Sequence, residues 1–280
     1  QGFVDEWHHT RMGEYTYACS DFKFKKGLVS ATKTSGHTLQ IADGLWLDKK
    51  FKAAMMKSIA QSELDRKRFV YSDIGFILLQ QVVEAVTGKT LDVYLVSEFY
   101  RPMGLEHTLF QPLNRYKKAD IMPTAANDYL RRQDLCGYVH DEAAAFMGGV
   151  SGNAGLFSTA QELGKIYQMI LNEGELDGKR YLRPETCRIF TTEKSAVSHR
   201  GLGYDKPNLK DPKANACASS APASVYGHTG FTGTCAWVDP ENDLVYIFLS
   251  NRLCPDAWNG KLNSMKIRQA VQEVIYQSLY

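Results

Sequence analysis

The sequence predicts an α+β fold in which an antiparallel sheet is flanked by helices and joined to a mostly helical lobe. The middle of the 280-residue chain repeats apolar residues at helical spacing, whereas residues 224–238 and 244–251 are rich in β-branched and aromatic residues. A block of helices followed by a block of strands is typical of α+β proteins. We expect one domain over residues 1–280, with a mostly helical lobe at about 45–175 and a sheet with a closing helix at about 200–280.

Helical patterns recur from residue 49 onward. The clearest covers residues 73–87, where apolar residues repeat at every fourth position and Gly88 follows as a C-terminal stop. Further helices are expected at 49–62, at 91–100, at 160–174 after the capping-box sequence Thr159-Ala160-Gln161-Glu162, from Pro184, and at 262–280.

Strands are expected mainly near the C-terminus. The turn sequence Asp239-Pro240-Glu241-Asn242-Asp243 separates residues 224–238 from residues 244–251, which predicts an antiparallel hairpin of two strands. Residues 1–50 are interrupted by glycines and are expected to be irregular, apart from a short extended segment at 38–42.

The composition excludes several functions. A net charge of +2, with both signs interspersed, gives no electrostatic footprint for nucleic acid. No apolar stretch approaches the roughly 18 residues of a membrane span. Histidines and cysteines lack metal-ligand spacing, so we expect no metal and no cofactor. The six cysteines include no close pair, which excludes a C-x-x-C motif and leaves both disulfides and buried free thiols open.

Tyr71-Ser72-Asp73 stands directly before the strongest helix. A tyrosine there projects its hydroxyl at the positive end of the helix dipole, which, with a neighbouring lysine, would help to stabilise a phenolate. Taken alone, Asp73 is better explained as a helix N-cap.

The second segment of interest is Tyr226-Gly227-His228-Thr229-Gly230-Phe231-Thr232-Gly233-Thr234. Glycine is rare inside strands, so three in this run indicate a bulge or an edge that a ligand approaches closely. An accessible strand edge suits a peptide-like substrate or an oxyanion. The alternative is a glycine-rich turn.

These two motifs carry a family resemblance. Penicillin-binding proteins, D-alanyl-D-alanine carboxypeptidases and class C β-lactamases share S-x-x-K, then Y-x-N, then K-T-G or H-T-G. Tyr71-Ser72-Asp73 resembles the second motif, with Asp in place of Asn, and His228-Thr229-Gly230 resembles the third. Segments 102–105 and 148–159 also resemble β-lactamase-related hydrolases. The chain is in particular similar to the serine hydrolase domain that some bacterial envelope proteins carry after a family 3 β-N-acetylglucosaminidase domain.

The resemblance implies a β-lactamase/transpeptidase-like fold and a set of site residues. The implied catalytic residues are Tyr71, Asp73 and His228, and the implied substrate-binding residues are Ser72, Thr229, Gly230 and Phe231. Tyr71 would be the general base, His228 and Thr229 would orient a substrate carboxylate or carbonyl, and the Phe231 N–H would be an oxyanion donor. An ionised Asp73 lacks the N–H donors of the family's Asn, which places β-lactam turnover in question.

The serine nucleophile is not evident. Ser30-Ala31-Thr32-Lys33 matches S-x-x-K, but no apolar helical repeat follows it, so Ser30 and Lys33 are not expected to share a helix face. Too few residues stand before and after this match for the family's arrangement. We therefore expect the chain to begin after the nucleophile helix, which a longer parent chain would supply.

Three readings follow. The first is an enzyme that hydrolyses an amide, peptide or ester bond through an acyl-serine, on a small-molecule or peptide-like substrate in the periplasm or cell envelope. The second is a catalytically silent domain with a binding or structural role, with an N-terminal domain of the parent as a partner. The third, a Ser-His-Asp hydrolase built on His140-Asp141 or on His228, lacks the G-x-S-x-G elbow.

Overall fold

In a computed structural model of this chain, which describes residues 9–12, 15–18, 23–63, 69–257 and 259–279, helices and small antiparallel sheets alternate before a C-terminal sheet. The strands are β1 (His9–Met12), β2 (Tyr15–Ala18), β3 (Val29–Ser30), β4 (His37–Ala42), β5 (Leu45–Asp48), β6 (Leu109–Phe110), β7 (Pro123–Asp128), β8 (Gln133–Cys136), β9 (Leu156–Phe157), β10 (Glu175–Leu176), β11 (Lys179–Arg180), β12 (Tyr226–Thr229), β13 (Cys235–Asp239) and β14 (Leu244–Phe248). The α-helices are α1 (Phe51–Ala60), α2 (Ile74–Thr87), α3 (Leu91–Leu95), α4 (Glu142–Phe146), α5 (Ala160–Leu171), α6 (Pro184–Thr192), α7 (Lys261–Ser264) and α8 (Ile267–Gln277).

The helices largely follow the apolar repeats. Helix α2 ends at Gly88, whose φ of 67° is the left-handed conformation that glycine adopts readily, so the predicted stop is confirmed. Helix α3 continues as a π-helical turn, Val96–Tyr100, and α6 begins at Pro184 as predicted. The single closing helix predicted at 262–280 is instead two helices, because Lys266 between α7 and α8 has a φ of 49°.

The N-terminal part is more regular than predicted. Strands β3, β5 and β4 form a three-stranded antiparallel sheet, so the prediction of irregular structure is wrong for residues 29–48, although the strand at 38–42 is confirmed. Gly44 does not interrupt this sheet, because its φ of 58° makes the tight turn from β4 to β5. Ile41 and Leu47 are buried in a core cluster with Phe146 of α4.

The C-terminal sheet has the order β12-β13-β14 and is antiparallel throughout. The segment 224–238, predicted as one strand, is therefore two strands, β12 and β13. The predicted hairpin is formed by β13 and β14. The chain reverses between them because Gly230 N–H donates to the Thr234 carbonyl at 2.8 Å and Gly233 has a φ of 116°. The glycine-rich turn, left as an alternative from sequence, thus coexists with the strand.

Helices cover this sheet. Trp237 and Tyr246 are buried with Tyr276 of α8, and α5 contacts β14. A separate apolar cluster joins Tyr100 and Met103 to Met169 of α5. Cys187, Cys217 and Cys235 are buried free thiols, Cys136 and Cys254 are free and partly buried, and Cys19 lies outside the described residues.

The hairpin β7–β8 was not predicted, and it positions the segment that precedes α4. At its turn the side chains of Asp128 and Arg131 are fully buried and form an ion pair of 3.2 Å. Arg131 Nη2 donates to the carbonyls of Val139 and His140, both at 2.7 Å. Within the described ranges no helix is both long enough and apolar enough to cross a membrane.

Candidate active site

Tyr71 and His228 come from distant parts of the chain and lie side by side. Tyr71 immediately precedes α2, and His228 is in β12. Their ring centroids are 6.4 Å apart and their planes are inclined by 29°. The structure thus brings the two motifs into one cleft, which is the arrangement that the family resemblance requires.

Ser72 and Asp73 occupy the helix start in an unexpected way. Asp73 stands at the N-cap position of α2, but its carboxylate makes no capping hydrogen bond. The Ser72 hydroxyl instead accepts from the Ile74 N–H at 3.3 Å. Partial burial, followed by the nearby carboxylates of Asp141 and Glu142, raises the pKa of Asp73 above its ordinary value. Asp73 is therefore protonated more readily than an exposed aspartate.

The electrostatics around Tyr71 differ from the expectation of a stabilised phenolate. Burial raises the pKa of the Tyr71 phenol, the Asp73 carboxylate raises it further, and Arg200 opposes both. Among the described residues, the cation over the ring is Arg200, whose guanidinium carbon lies 4.8 Å from the ring centroid. At neutral pH Tyr71 is a protonated phenol that can donate its proton.

Arg200 and Asp205 were not found from the sequence. Arg200 Nη1 lies 3.0 Å from His228 Nε2 and 3.2 Å from Asp205 Oδ1. His199 Nε2 lies 3.2 Å from the same Asp205 oxygen. These residues stand in a loop without periodicity, so the spacing of apolar residues does not mark them as site residues.

Strand β12 is an edge of the C-terminal sheet, and among the described residues its outer side pairs with the backbone of Asp205 alone. Gly227 exchanges two backbone hydrogen bonds with Asp205, at 2.7 and 3.1 Å. A Cβ at Gly227 would lie 2.1 Å from the Ala236 carbonyl oxygen, so only glycine fits there. Because alternate residues of a strand face the same edge, the Thr229 N–H points to the same side as Gly227.

Phe231 lies beyond the strand, between two partners. Its ring stacks on the His140 imidazole at 5.3 Å, and the Arg252 guanidinium carbon lies 4.2 Å from its centroid. Arg252 Nε donates to the Phe231 carbonyl at 2.6 Å. Within the part of the chain that the structure describes, no backbone carbonyl outside the regular elements accepts from the Phe231 N–H, which suits an oxyanion donor.

His140 and Asp141 do not form a catalytic dyad. Burial lowers the pKa of His140, whose ring is engaged with Phe231. Asp141 caps α4 by accepting from the Ala144 N–H at 2.7 Å, and it also accepts from Asn153 Nδ2 at 3.0 Å. Both side chains are occupied in positioning roles, which disfavours the Ser-His-Asp reading.

Ser30 and Lys33 are apart from this cleft. Ser30 ends strand β3, and Lys33 Nζ lies 5.5 Å from the Trp46 ring centroid. Neither side chain makes a hydrogen bond, ion pair or ring contact with Tyr71, Asp73 or His228 among residues 23–63 and 69–257. Because this segment is not a helix, Ser30 and Lys33 do not lie one above the other on a helix face, as the S-x-x-K motif requires.

The fold is that of the β-lactamase and penicillin-binding-protein class. The chain belongs to the beta-lactamase family, whose profile matches residues 31–267. A putative D-alanyl-D-alanine carboxypeptidase of Escherichia coli (strain K12) is 34% identical over 264 residues, which cover 90% of this chain and 60% of that protein. An N-acetylmuramyl-L-alanine amidase of Bacillus subtilis (strain 168) is 36% identical over 197 residues, which cover 66% of this chain and 44% of that protein.

Among solved structures, unliganded simvastatin synthase (LovD) from Aspergillus terreus has the same fold. It gives a TM-score of 0.52 at 15% identity and covers 82% of this chain and 61% of that one. The chain spans about 60% of the length of the E. coli relative.

Proposed function

We propose that this chain is the main part of a serine hydrolase that cleaves an amide, peptide or ester bond through an acyl-serine. The observation that carries the proposal is the pairing of Tyr71 with His228 at a glycine-bearing sheet edge. The names of the relatives, a carboxypeptidase and an amidase, favour cell-wall-derived substrates and a location in the periplasm or cell envelope.

Tyr71 transfers the proton in this proposal. Its raised pKa keeps the phenol protonated at rest, so it can donate to the leaving group when the bond breaks. As the phenol gives its proton to the leaving group, the same oxygen takes the proton of the serine hydroxyl, so that Tyr71 ends as a phenol again, and Arg200 stabilises the phenolate character that develops between the two transfers. Asp73 and Ser72, next in sequence, border the substrate.

The sheet edge binds the substrate. The N–H of Thr229 faces the open edge beyond the Asp205 bridge, and Gly230 allows close approach of the backbone. The Phe231 N–H is one oxyanion donor and the N–H of the nucleophile is the other.

We further propose that the nucleophile is not Ser30 and that a longer parent chain supplies the Ser-x-x-Lys pair ahead of these residues. The location of Ser30 in β3 supports the first part. The surface of α2 supports the second, because its apolar side chains are exposed over most of its length. Those side chains are Ile74, Phe76, Leu78, Leu79, Val82 and Val86.

A labelling experiment tests the proposal. The protein as its host makes it is incubated with a fluorescent β-lactam and with an activated ester, and the labelled peptide is mapped by mass spectrometry. We expect one labelled serine, and a Tyr71→Phe variant that labels about 10²- to 10⁴-fold more slowly, which is the usual contribution of general acid–base catalysis. Tyr116→Phe, which removes a hydroxyl bound to the Glu106 carbonyl outside the cleft, is the matched control.

Label on Ser30 would contradict the proposed position of the nucleophile. A protein that is folded and takes up neither reagent would contradict the hydrolase proposal and favour the silent binding domain.

A further inference from the structure

Arg200 is held in a closed turn beside the cleft. Its carbonyl accepts from the Ser195 N–H at 2.7 Å, and the next residue, Gly201, pairs with Lys194. A Cβ at Gly201 would lie 2.7 Å from the Glu193 carbonyl oxygen, so the close approach of the two backbones leaves no room for a side chain at this position. The Arg200 side chain is only 24% exposed. A hydrogen-bonded backbone turn thus fixes where the guanidinium lies.

Asp205 fixes the guanidinium from the other side. Its carboxylate is 7% exposed and lies 3.2 Å from Arg200 Nη1. The backbone of Asp205 is bonded to Gly227, the residue before His228. The Asp205 carboxylate, the Arg200 guanidinium and the His228 imidazole therefore lie together beside residues 227 and 228 of strand β12.

The chemistry of its partners determines the tautomer of His228. A guanidinium has only donors, so Arg200 Nη1 at 3.0 Å requires an unprotonated Nε2. A carbonyl oxygen has only acceptors, so the Thr229 oxygen at 2.6 Å requires a proton on Nδ1. Both contacts are satisfied only by the neutral imidazole with its proton on Nδ1.

We propose that Arg200 is a positioning residue that holds His228 as the neutral Nδ1–H tautomer, and that the positive charge beside the Tyr71 ring belongs to Arg200. Both imidazole nitrogens are then occupied, and His228 presents only its ring face to Tyr71. Polar contact with substrate at this motif then falls to the Thr229 backbone at the open edge of β12. This last consequence rests on the proposed function, whereas the tautomer does not.

The test is nitrogen NMR of the protein labelled with ¹⁵N-histidine, with His228→Gln to assign the signal. At neutral pH we expect His228 to show a protonated Nδ1 and a bare Nε2. His37 is an internal reference of the opposite kind, because its Nε2 lies 2.9 Å from the Gly27 carbonyl oxygen and must carry the proton in the neutral ring. In the unsubstituted protein, a His228 signal with its proton on Nε2, or on both nitrogens, would overturn the proposal.

A matched pair of variants tests the part played by Arg200. Arg200→Met removes the donor that keeps Nε2 bare, and we expect part of the His228 population to gain a proton on Nε2 while the Thr229 carbonyl still holds the proton on Nδ1. Arg115→Met removes another arginine that covers a tyrosine ring, at 5.5 Å from Tyr116, and should leave the His228 signal unchanged. An unaltered Nδ1–H signal in Arg200→Met would show that Arg200 does not hold the ring. A protein with the expected tautomer that never takes up label would refute the hydrolase proposal and leave this one standing.

Discussion

At the scale of single residues, the cleft is a balance of charges around one phenol. Asp73 and Arg200 act on Tyr71 in opposite directions, and burial adds to the effect of Asp73. A tyrosine whose pKa is raised in this way is a phenol at rest, and its phenolate is harder to form than that of an exposed tyrosine. The positive charge of Arg200 over the ring favours the phenolate.

We predict that Asp73→Asn lowers the pKa of Tyr71 and that Arg200→Met raises it. The first variant removes a negative charge that disfavours the phenolate, and the second removes a positive charge that favours it. Titration of ¹³C-labelled tyrosine by NMR measures both shifts. Asp120→Asn, far from the described cleft, should leave the titration unchanged, and shifts of equal sign in the two cleft variants would contradict the assignment.

The residues that sequence reasoning found and missed differ in kind. Tyr71 and His228 are in short motifs beside a periodic helix and a strand, so their context could be predicted from the spacing of apolar residues. Arg200, Asp205 and His140 stand in loops, where side-chain positions depend on contacts between distant segments. No local pattern records those contacts.

At the scale of elements, the start of α5 is fastened to a neighbouring loop. Thr159 caps the helix as the capping-box sequence predicts, accepting from the Glu162 N–H at 3.3 Å. The other half of the box is absent, because the Glu162 carboxylate turns to the N–H groups of Glu106 and His107 and the Thr108 hydroxyl. Burial opposes ionisation of Glu162, but these hydrogen bonds lower its pKa below the ordinary value.

We predict that Glu162→Gln costs about 1–3 kcal/mol of unfolding free energy at neutral pH, because a buried hydrogen-bonded carboxylate is lost. Since the folded pKa is depressed, this contribution is present above the unfolded pKa of glutamate and is lost as pH falls through the folded pKa. Urea unfolding at neutral and acid pH measures it. Glu185→Gln, whose side chain is 72% exposed, should change little, and a deficit independent of pH would contradict the role of the charge.

The apolar repeat predicted the position of helix α2 correctly, but it does not predict which segments pack against the apolar side chains of the helix. Only Ile77 and Gln80 are buried, and Gln80 accepts from the Gly152 N–H at 3.2 Å. The loop at 152 approaches closely, since a Cβ on Gly152 would lie 2.2 Å from the Phe76 carbonyl oxygen. Much of the remaining apolar surface of α2 is exposed.

We predict that the 280-residue chain associates or precipitates through this surface, and that Leu79→Gln with Val82→Gln reduces the association. Contiguous exposed apolar patches are unusual on monomers and promote association. Sedimentation at several concentrations measures the effect. Val197→Gln alters an exposed valine outside α2 and is the control. A monodisperse monomer without any substitution would contradict the prediction.

At the scale of the whole molecule, the closing helix binds the C-terminal sheet through polar groups as well as apolar ones. Tyr276 donates to Asp239 Oδ2 at 2.8 Å, and Tyr246 of β14 donates to the Arg268 carbonyl at 3.0 Å. Gln272 accepts from the Ala218 N–H at 2.8 Å. The periodicity of 262–280 predicted a helix but not its buried side, because Val271 and Val274 are exposed whereas Gln272 and Tyr276 are buried. These buried polar partners depend on the tertiary structure.

We predict that Tyr276→Phe lowers the unfolding free energy by about 1–3 kcal/mol, since Asp239 loses a buried donor. Burial and the hydrogen bond to Asp239 raise the pKa of Tyr276, so its contribution is complete below the unfolded phenol pKa and is lost as pH rises through the folded one. Urea unfolding of the variant and of Tyr94→Phe, which keeps the ring and removes a hydroxyl outside this interface, measures it. Equal stability of Tyr276→Phe and the unaltered chain would contradict the prediction.

The two hydrogen bonds between Asp205 and Gly227 also limit what the cleft can hold. An extended ligand that pairs with the edge of β12 cannot pass Gly227, because the backbone of Asp205 already occupies that position. One end of the ligand must therefore lie next to Gly227, and the rest can extend only toward Thr229. We expect the terminal unit of a polymer to be accepted and an internal unit to be refused, which would make this an enzyme that shortens chains from one end.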